Sequence, residues 1–494
     1  MSKNKKEYRQ IMKATSLFGG VQIFTIIITI IRSKFVAILL GPTGMGIVGL
    51  LQSTINLISS TTNFGLRTSA VKDIATAVST NNIERVSVVV TVLRRLVWIT
   101  GLLGALITFI TSPWLSQFTF GNSDYTYAFM WLSITLLFNQ LSSGQSVVLQ
   151  GFRKLKLLAK SSMLGSFIGL LTTVPLYYIY GIKGIVPVII IGSTTTLSLT
   201  WYYSKKIQIE KSAISLDKTF QEGKNMLSMG FLISLTGVFS VAVSYIIRIF
   251  ISNTGGIEDV GLYSAGFAII GTYVGLIFNA MGTDYYPRLS AVSENLVLAK
   301  KTINQQAEIA LLIIAPIIIV FLVFIKWIVI ILYSNKFIEV NTMVYWAAMG
   351  MLFKAISWTI AFLFLAKGES KLFLWNELAV NLYMLGFNII GYYYWGLTGL
   401  GVSFLVTYFL YLIQVYFIAK IKFHFFFTKG LKKIFTIQFS LTALSFIVVY
   451  LFDETKMYLT GSLLIIISSW YSLKELDKRM DIKSILVNLK SKFQ

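Results

Sequence analysis

The stretch IFTIIITIIRSKFVAILLGPTGMGIVGLLQSTINLI, residues 23–58, decides the fold. It holds two apolar runs separated by Gly41-Pro42-Thr43-Gly44, a cluster that punctuates a chain into a tight turn. A helix needs roughly 20 apolar residues to cross a hydrocarbon core of about 30 Å. The two runs therefore read as a pair of membrane-spanning helices, whose backbone polar groups are satisfied internally as lipid demands.

The rest of the chain repeats the pattern. Of 494 residues 55% are hydrophobic and 13% charged, where a soluble domain carries about 25% charged residues. Apolar runs recur near 14–40, 45–66, 88–112, 125–149, 161–181 and 184–204, then near 225–250, 260–283, 304–331, 341–366, 372–393 and 398–419, and finally near 434–452 and 457–473. The last is the shortest and carries Ser468, Ser469 and Trp470. Further turns are marked by Gly181-Ile182-Lys183-Gly184 and Asp453-Glu454-Thr455-Lys456. The fold class expected is an all-α integral membrane protein with 14 transmembrane helices.

Charge orients them. One set of alternate loops and the two ends hold 35 of the 43 Lys and Arg residues, while the opposite loops hold only Lys183, Lys336 and Lys456. The basic side is cytoplasmic by the positive-inside rule, so both ends lie inside. The formal charge of +23 is accounted for by topology and anionic headgroups, and nucleic acid is not an expected partner. Met1–Lys13 is basic and leads into a long apolar run, which reads as a retained first helix and not a cleaved signal. With no cysteine and the single His424 in a basic loop, thiolate and His-cluster metal sites and Cys or His nucleophiles are excluded. No G-x-x-x-x-G-K phosphate loop is present.

The chain also resembles itself. Gly44-Met45-Gly46-Ile47-Val48-Gly49-Leu50 follows the first helix, and Gly256-Ile257-Glu258-Asp259-Val260-Gly261-Leu262 follows the seventh. Arg32 and Arg248 precede these turns in each copy. The expected organisation is an N-lobe over 1–204 with helices 1–6, a basic cytoplasmic linker over 205–224, and a C-lobe over 225–419 with helices 7–12. Residues 420–494 then supply helices 13–14 and a basic tail. An even number of helices per copy makes the repeats parallel, an arrangement suited to alternating access about a central site.

Five basic residues interrupt the apolar runs: Arg32, Lys34, Arg248, Lys326 and Lys354. A cation at mid-helix costs about 2.5–3.5 kcal/mol on insertion scales, so it normally faces a wet cavity or a partner. Lys34 and Lys326 lie near run ends and can snorkel to headgroups. Arg32 has a polar stripe beneath it, since Gln22, Thr25, Thr29 and Arg32 fall on one helical face. Gln52, Asn56, Ser59, Asn63 and Arg67 form a second stripe. In the second copy Gly237, Ser240, Ser244 and Arg248 share a face, Ser264, Ala268, Gly275, Asn279 and Gly282 give a smaller, milder one, and the eleventh helix adds Glu377, Asn381 and Asn388. Any one of the small residues also serves close helix packing. A cavity so rich in cations favours an anionic cargo over a cationic drug.

Arg32-Ser33-Lys34-Phe35-Val36-Ala37-Ile38-Leu39-Leu40-Gly41-Pro42-Thr43-Gly44-Met45-Gly46, continued through Asn63-Phe64-Gly65 to Ala70-Val71-Lys72-Asp73, resembles the opening of Wzx-type polysaccharide flippases. These form the O-antigen translocase branch of the multidrug/oligosaccharidyl-lipid/polysaccharide exporter superfamily. The resemblance implies transport, without an enzymatic step or cofactor, of an undecaprenyl-pyrophosphate-linked oligosaccharide across the bacterial inner membrane. It implies that Arg32 and Arg248, which match cavity arginines of the related lipid II flippase, meet the pyrophosphate. That flippase follows its first-helix arginine with aspartate, whereas Ser33 stands here. It also implies that helices thirteen and fourteen shape a groove for the lipid tail.

The expected partners are that lipid-linked oligosaccharide, membrane lipids and polysaccharide-assembly proteins. Arg67 and Arg288 near the cytoplasmic mouth would aid the two arginines, and the polar stripes with scattered Tyr and Trp would contact sugar. A Na+ or H+ gradient is an expected energy source, with Glu377 as its coupling residue. The alternative within the superfamily is an ion-coupled drug or metabolite exporter. A polysaccharide polymerase or ligase is disfavoured, because no outer loop is large enough to hold catalytic residues.

Overall fold

In the computed structural model the chain is described over residues 3–480 except 81, 211 and 213; side chains are described from Val21 onward except at 22, 23, 225, 229, 232, 233, 236, 273, 283 and 480. The side chain of Gln22 and the basic tail residues Lys483, Lys490 and Lys492 thus lie outside the described residues. Every regular element described is helical.

The helices are α1 (Lys3–Thr62), α2 (Leu66–Ser79), α3 (Ile83–Ile110), α4 (Ser112–Phe120), α5 (Thr126–Gly151), α6 (Leu155–Tyr180), α7 (Ile185–Ser204) and α8 (Leu216–Gly255). They continue as α9 (Ile257–Phe267), α10 (Gly275–Ala291), α11 (Leu296–Leu332), α12 (Val340–Ala366), α13 (Ser370–Phe423), α14 (Lys429–Leu451) and α15 (Glu454–Met480). A π-helical segment, Ala268–Val274, joins α9 to α10. The chain forms two compact units, residues 1–261 with 332–334, and 262–331 with 335–494.

Among the described residues nine helical stretches are long and apolar enough to cross a membrane. Three are far longer than one crossing: Phe24–Thr62 at 39 residues, Leu155–Ser204 at 50 and Ser370–Phe423 at 54. Each is broken where a glycine takes a left-handed conformation: Gly41 (φ 67°), Gly181 (φ 53°) and Gly396 (φ 54°). At Gly396 the chain folds back so tightly that a Cβ on Gly399 would collide with the carbonyl of Gly391. The turns expected at Gly41, Gly181 and Asp453 all coincide with breaks between helices.

Three helical pieces were not anticipated. α2 occupies a stretch read as loop and buries Leu66, Ala70, Ile74 and Ala77 at helical spacing. α4 does the same beyond α3, with Leu115, Ser116 and Thr119 inward. α8 begins inside the stretch read as linker, because the Ser215 hydroxyl accepts from the Lys218 amide at 3.2 Å and Asp217 sits in the positive first turn.

In the first unit, α2, α3 and α5 close on a core that includes Ile74, Leu93, Leu96, Val147 and Leu149. The two similar turns of the chain meet there. A Cβ on Gly46 would strike the Ile257 carbonyl, and one on Gly261 would strike the Pro42 carbonyl. Each of the two glycine-containing turns thus packs against the other's backbone. In the second unit α12 is sheathed by α13, burying Leu352, Phe364 and Leu400. The last pair is fastened to α11: Arg479 Nε binds buried Glu308 at 2.8 Å, the Thr428 hydroxyl reaches Glu308 at 3.2 Å, and Lys326 pairs with Glu454.

Candidate functional site

The part of α1 before the Gly41 break has two exposed faces of opposite character. Ile27, Ile31, Phe35 and Ile38 are exposed and lie on one side. Thr25 is half-buried, and Thr29 and Arg32 are exposed; at about 100° per residue these three lie more than about 100° around the helix from the centre of the apolar stripe. Arg32 thus lies on a different side of the helix from the exposed apolar stripe. The Thr29 hydroxyl donates to its own helix at the Thr25 carbonyl, 2.8 Å away.

Beyond Gly41, α1 continues as a largely buried helix. Leu50, Leu51, Ser53, Thr54 and Ile55 face inward, and the open side presents Gln52 and Asn56. Asn63 is half-buried on the same face, but its carbonyl oxygen accepts from the Gly65 amide at 2.7 Å, an Asx-turn that carries the chain into α2. Arg67 is exposed at the start of that helix. On α8, half-buried Arg248 donates from Nη1 to the Ser244 carbonyl at 3.0 Å and to the Ser244 hydroxyl. The structure thereby joins two expected site residues.

The second unit holds its expected site residues differently. Asn279 is exposed on α10. Arg288 is exposed but committed, donating to Gln306 on α11 at 2.6 Å with Asp284 at 3.7 Å. Glu377 on α13 is half-buried and accepts from the Tyr411 hydroxyl at 2.6 Å. That hydroxyl accepts in turn from Asn376 at 3.0 Å, and Gln414 donates to Asn376 at 2.6 Å. Asn381 and Asn388 are buried and donate to backbone carbonyls one turn back, both at 2.7 Å.

One residue deserved a place among the candidates on its environment. Lys354 Nζ of α12 lies 5.0 Å from the Tyr408 ring centre, 5.7 Å from Phe404 and 5.8 Å from Phe278. An ammonium over aromatic faces gains electrostatically from each ring. Its intramembrane position was legible, but the three rings come from distant segments. Among the described residues no group of three or more His, Asp or Glu could hold a metal ion.

The model of a family described as polysaccharide biosynthesis protein matches residues 35–342 of this chain. The chain belongs to that family. It is similar to a putative O-antigen transporter of Shigella flexneri, 26% identical over 296 residues, 59% of this chain and 69% of that protein. It is also similar to the lipid III flippase of Escherichia coli strain K12, 22% identical over 353 residues, 70% of this chain and 83% of that protein.

Two solved structures share the fold at 14% identity. An inward-facing multidrug resistance MATE family transporter matches with TM-score 0.69 over 83% of this chain and 96% of its own. The lipid II flippase MurJ, inward closed, matches with TM-score 0.65 over 94% of this chain and 99% of its own. The family member described here thus shares an all-α fold with that transporter and that flippase, and among its described residues several helices are long and apolar enough to cross a membrane.

Proposed function

We propose that this family member is a flippase moving an undecaprenyl-pyrophosphate-linked oligosaccharide, such as an O-antigen repeat unit, from the inner to the outer leaflet by alternating access. The carrying observation is the polar, exposed face of α1, with Thr29 and Arg32 before the Gly41 break and Gln52 and Asn56 after it. Uncovered amides and a guanidinium within apolar runs are tolerated where water reaches them, and a hydrated cationic surface attracts phosphate. Arg32 and Arg248 would hold the pyrophosphate, with Arg67 and Arg288 nearer the cytoplasm. Gln22, Thr25, Thr29, Gln52, Asn56, Asn63, Ser244 and Asn279 would meet sugar hydroxyls, while the polyprenyl tail stays in lipid.

The full reading has fourteen crossings, both ends inside, and two six-helix lobes followed by a final pair. The three glycine-broken stretches each supply two of the crossings, and the wider match to MurJ than to the MATE transporter is what an additional pair would give. Glu377, with its Tyr411 and Asn376 partners, is the proposed coupling residue for a Na+ or H+ gradient. The decisive experiment deletes the gene and analyses lipid-linked intermediates. Accumulation of an undecaprenyl-linked repeat unit on the cytoplasmic face is expected; an unchanged pool with normal surface polysaccharide contradicts the proposal. The similarity to a multidrug transporter favours one rival, an exporter of drugs or metabolites. Efflux of cationic dyes by the purified, reconstituted chain would identify it.

A further inference from the structure

At the cytoplasmic end of α3 lies a cavity of about 590 Å³ whose lining includes Thr91, Arg94, Arg95, Trp98, Ile99 and Leu216. That volume falls in the usual range for small-ligand sites, about 300–1,000 Å³. Its two arginines are not equivalent. Arg95 is engaged: Nη1 donates to the Thr219 hydroxyl at 2.7 Å and to the Ser215 carbonyl at 3.2 Å, fixing the start of α8 as one wall. Arg94, beside it, has a buried Nε that meets no hydrogen-bond partner among the described residues. A buried guanidinium N–H without an acceptor costs free energy, and an anion entering the cavity would remove that cost.

The remaining walls suggest what the anion is attached to. Trp98 and Ile99 are exposed one turn further into the apolar run, and Leu216 is 64% exposed at the mouth. From Arg95 to the end of α3 at Ile110 the helix rises only about 23 Å, less than the hydrocarbon thickness of about 30 Å. Arg94 therefore stands near the inner boundary of the bilayer, where cations and tryptophan are placed by headgroups. A free phosphate would satisfy the guanidinium and leave three apolar side chains facing water. A phospholipid satisfies both.

We propose that this cavity is a binding site for an anionic phospholipid of the cytoplasmic leaflet, with the headgroup phosphate on Arg94 and the upper acyl chain against Trp98, Ile99 and Leu216. The leaflet rests on the orientation proposed above; the binding itself depends on neither orientation nor transport, so each can fail without the other. The test uses the purified, delipidated full chain and native mass spectrometry, titrated with phosphatidylglycerol, phosphatidylcholine and inorganic phosphate.

Phosphatidylglycerol is expected to occupy one site about tenfold more tightly than phosphatidylcholine, whose headgroup carries the same phosphate but adds a quaternary ammonium that the two arginines repel. Arg94→Gln should erase that preference, and millimolar inorganic phosphate should not displace the lipid. Leu216→Glu, at an exposed position that leaves the fold intact, should weaken binding similarly, while Lys218→Gln should not. Equal binding of the two lipids, an unaltered preference in both Arg94→Gln and Leu216→Glu, or displacement by inorganic phosphate would each overturn the proposal. The last would mark a site for a cytoplasmic anion.

Discussion

α1 and α13 both carry polar side chains at helical spacing inside apolar runs, and the two helices treat them in opposite ways. On α1, Thr29, Arg32, Gln52 and Asn56 are exposed. On α13, Asn376, Asn381 and Asn388 are buried, and Glu377, Tyr411 and Gln414 are tied to one another or to Asn376 by hydrogen bonds. Helical periodicity does not distinguish these cases; accessibility does. Buried, mutually satisfied groups hold helices together, and their removal leaves partners stranded in a low dielectric. Exposed ones on a face set apart from the apolar stripe contribute little to folding and are free to meet a solute.

The contrast is tested most strongly on α13. Asn376→Ala removes the side-chain acceptor of the Gln414 amide and the bond that the Tyr411 hydroxyl accepts, with an expected loss of about 1–3 kcal/mol. The readout is the midpoint of thermal unfolding of the detergent-solubilised chain; an unshifted midpoint would show that the network does not hold α13 together. Asn56→Ala on α1 should alter stability by no more than about 0.5 kcal/mol, yet reduce surface-polysaccharide export in a complementation assay. Equal and large stability losses for both substitutions would erase the distinction.

A pH effect is expected at the end of α15, beyond its apolar stretch. Hydrogen bonds from Lys478 and Arg479 hold the Glu475 carboxyl below its ordinary range. A carboxylate lowered on folding stabilises the fold above its unfolded pKa and loses that contribution as pH falls through the folded value. Amide protection over residues 472–480, corrected for intrinsic exchange, should therefore hold from neutral pH down to the usual carboxylate range and be lost progressively as pH falls from there through the lowered folded value. Loss of protection already near neutrality would contradict it. The smallest effect belongs to Arg85–Glu222, a 2.7 Å pair on the outside of the first unit. Arg85→Ala should cost about 0.2–1 kcal/mol and become silent in high salt.

Much of the fold was legible because lipid narrows the choices. Apolar run length located long helices, of which nine stretches among the described residues are long and apolar enough to cross a membrane, and Gly41, Gly181 and Asp453 marked turns that the backbone makes there. α2 and α4 escaped notice because their apolar faces are short and set among charged or polar residues. The start of α8 was readable in Ser215 and Asp217, a local capping signal outweighed by the basic character of the surrounding stretch. At the site, spacing revealed the stripes but could not separate open from covered ones. Asn63 was read as part of a stripe, although Asn two residues before Gly is also a local turn signal. The aromatic surroundings of Lys354 were beyond reach, since Phe278 of α10 and the Phe404–Tyr408 pair of α13 reach it only through tertiary packing.

The central claim is that the guanidinium on the polar face of α1 serves cargo and not folding. The most direct measurement is the pool of lipid-linked repeat units in a deletion strain carrying Arg32→Ala, read beside the amount and thermal stability of the variant protein. A cytoplasmic build-up of the intermediate, with protein level and unfolding midpoint unchanged, is the predicted result. Wild-type flux through the variant, with surface polysaccharide intact, would contradict the account.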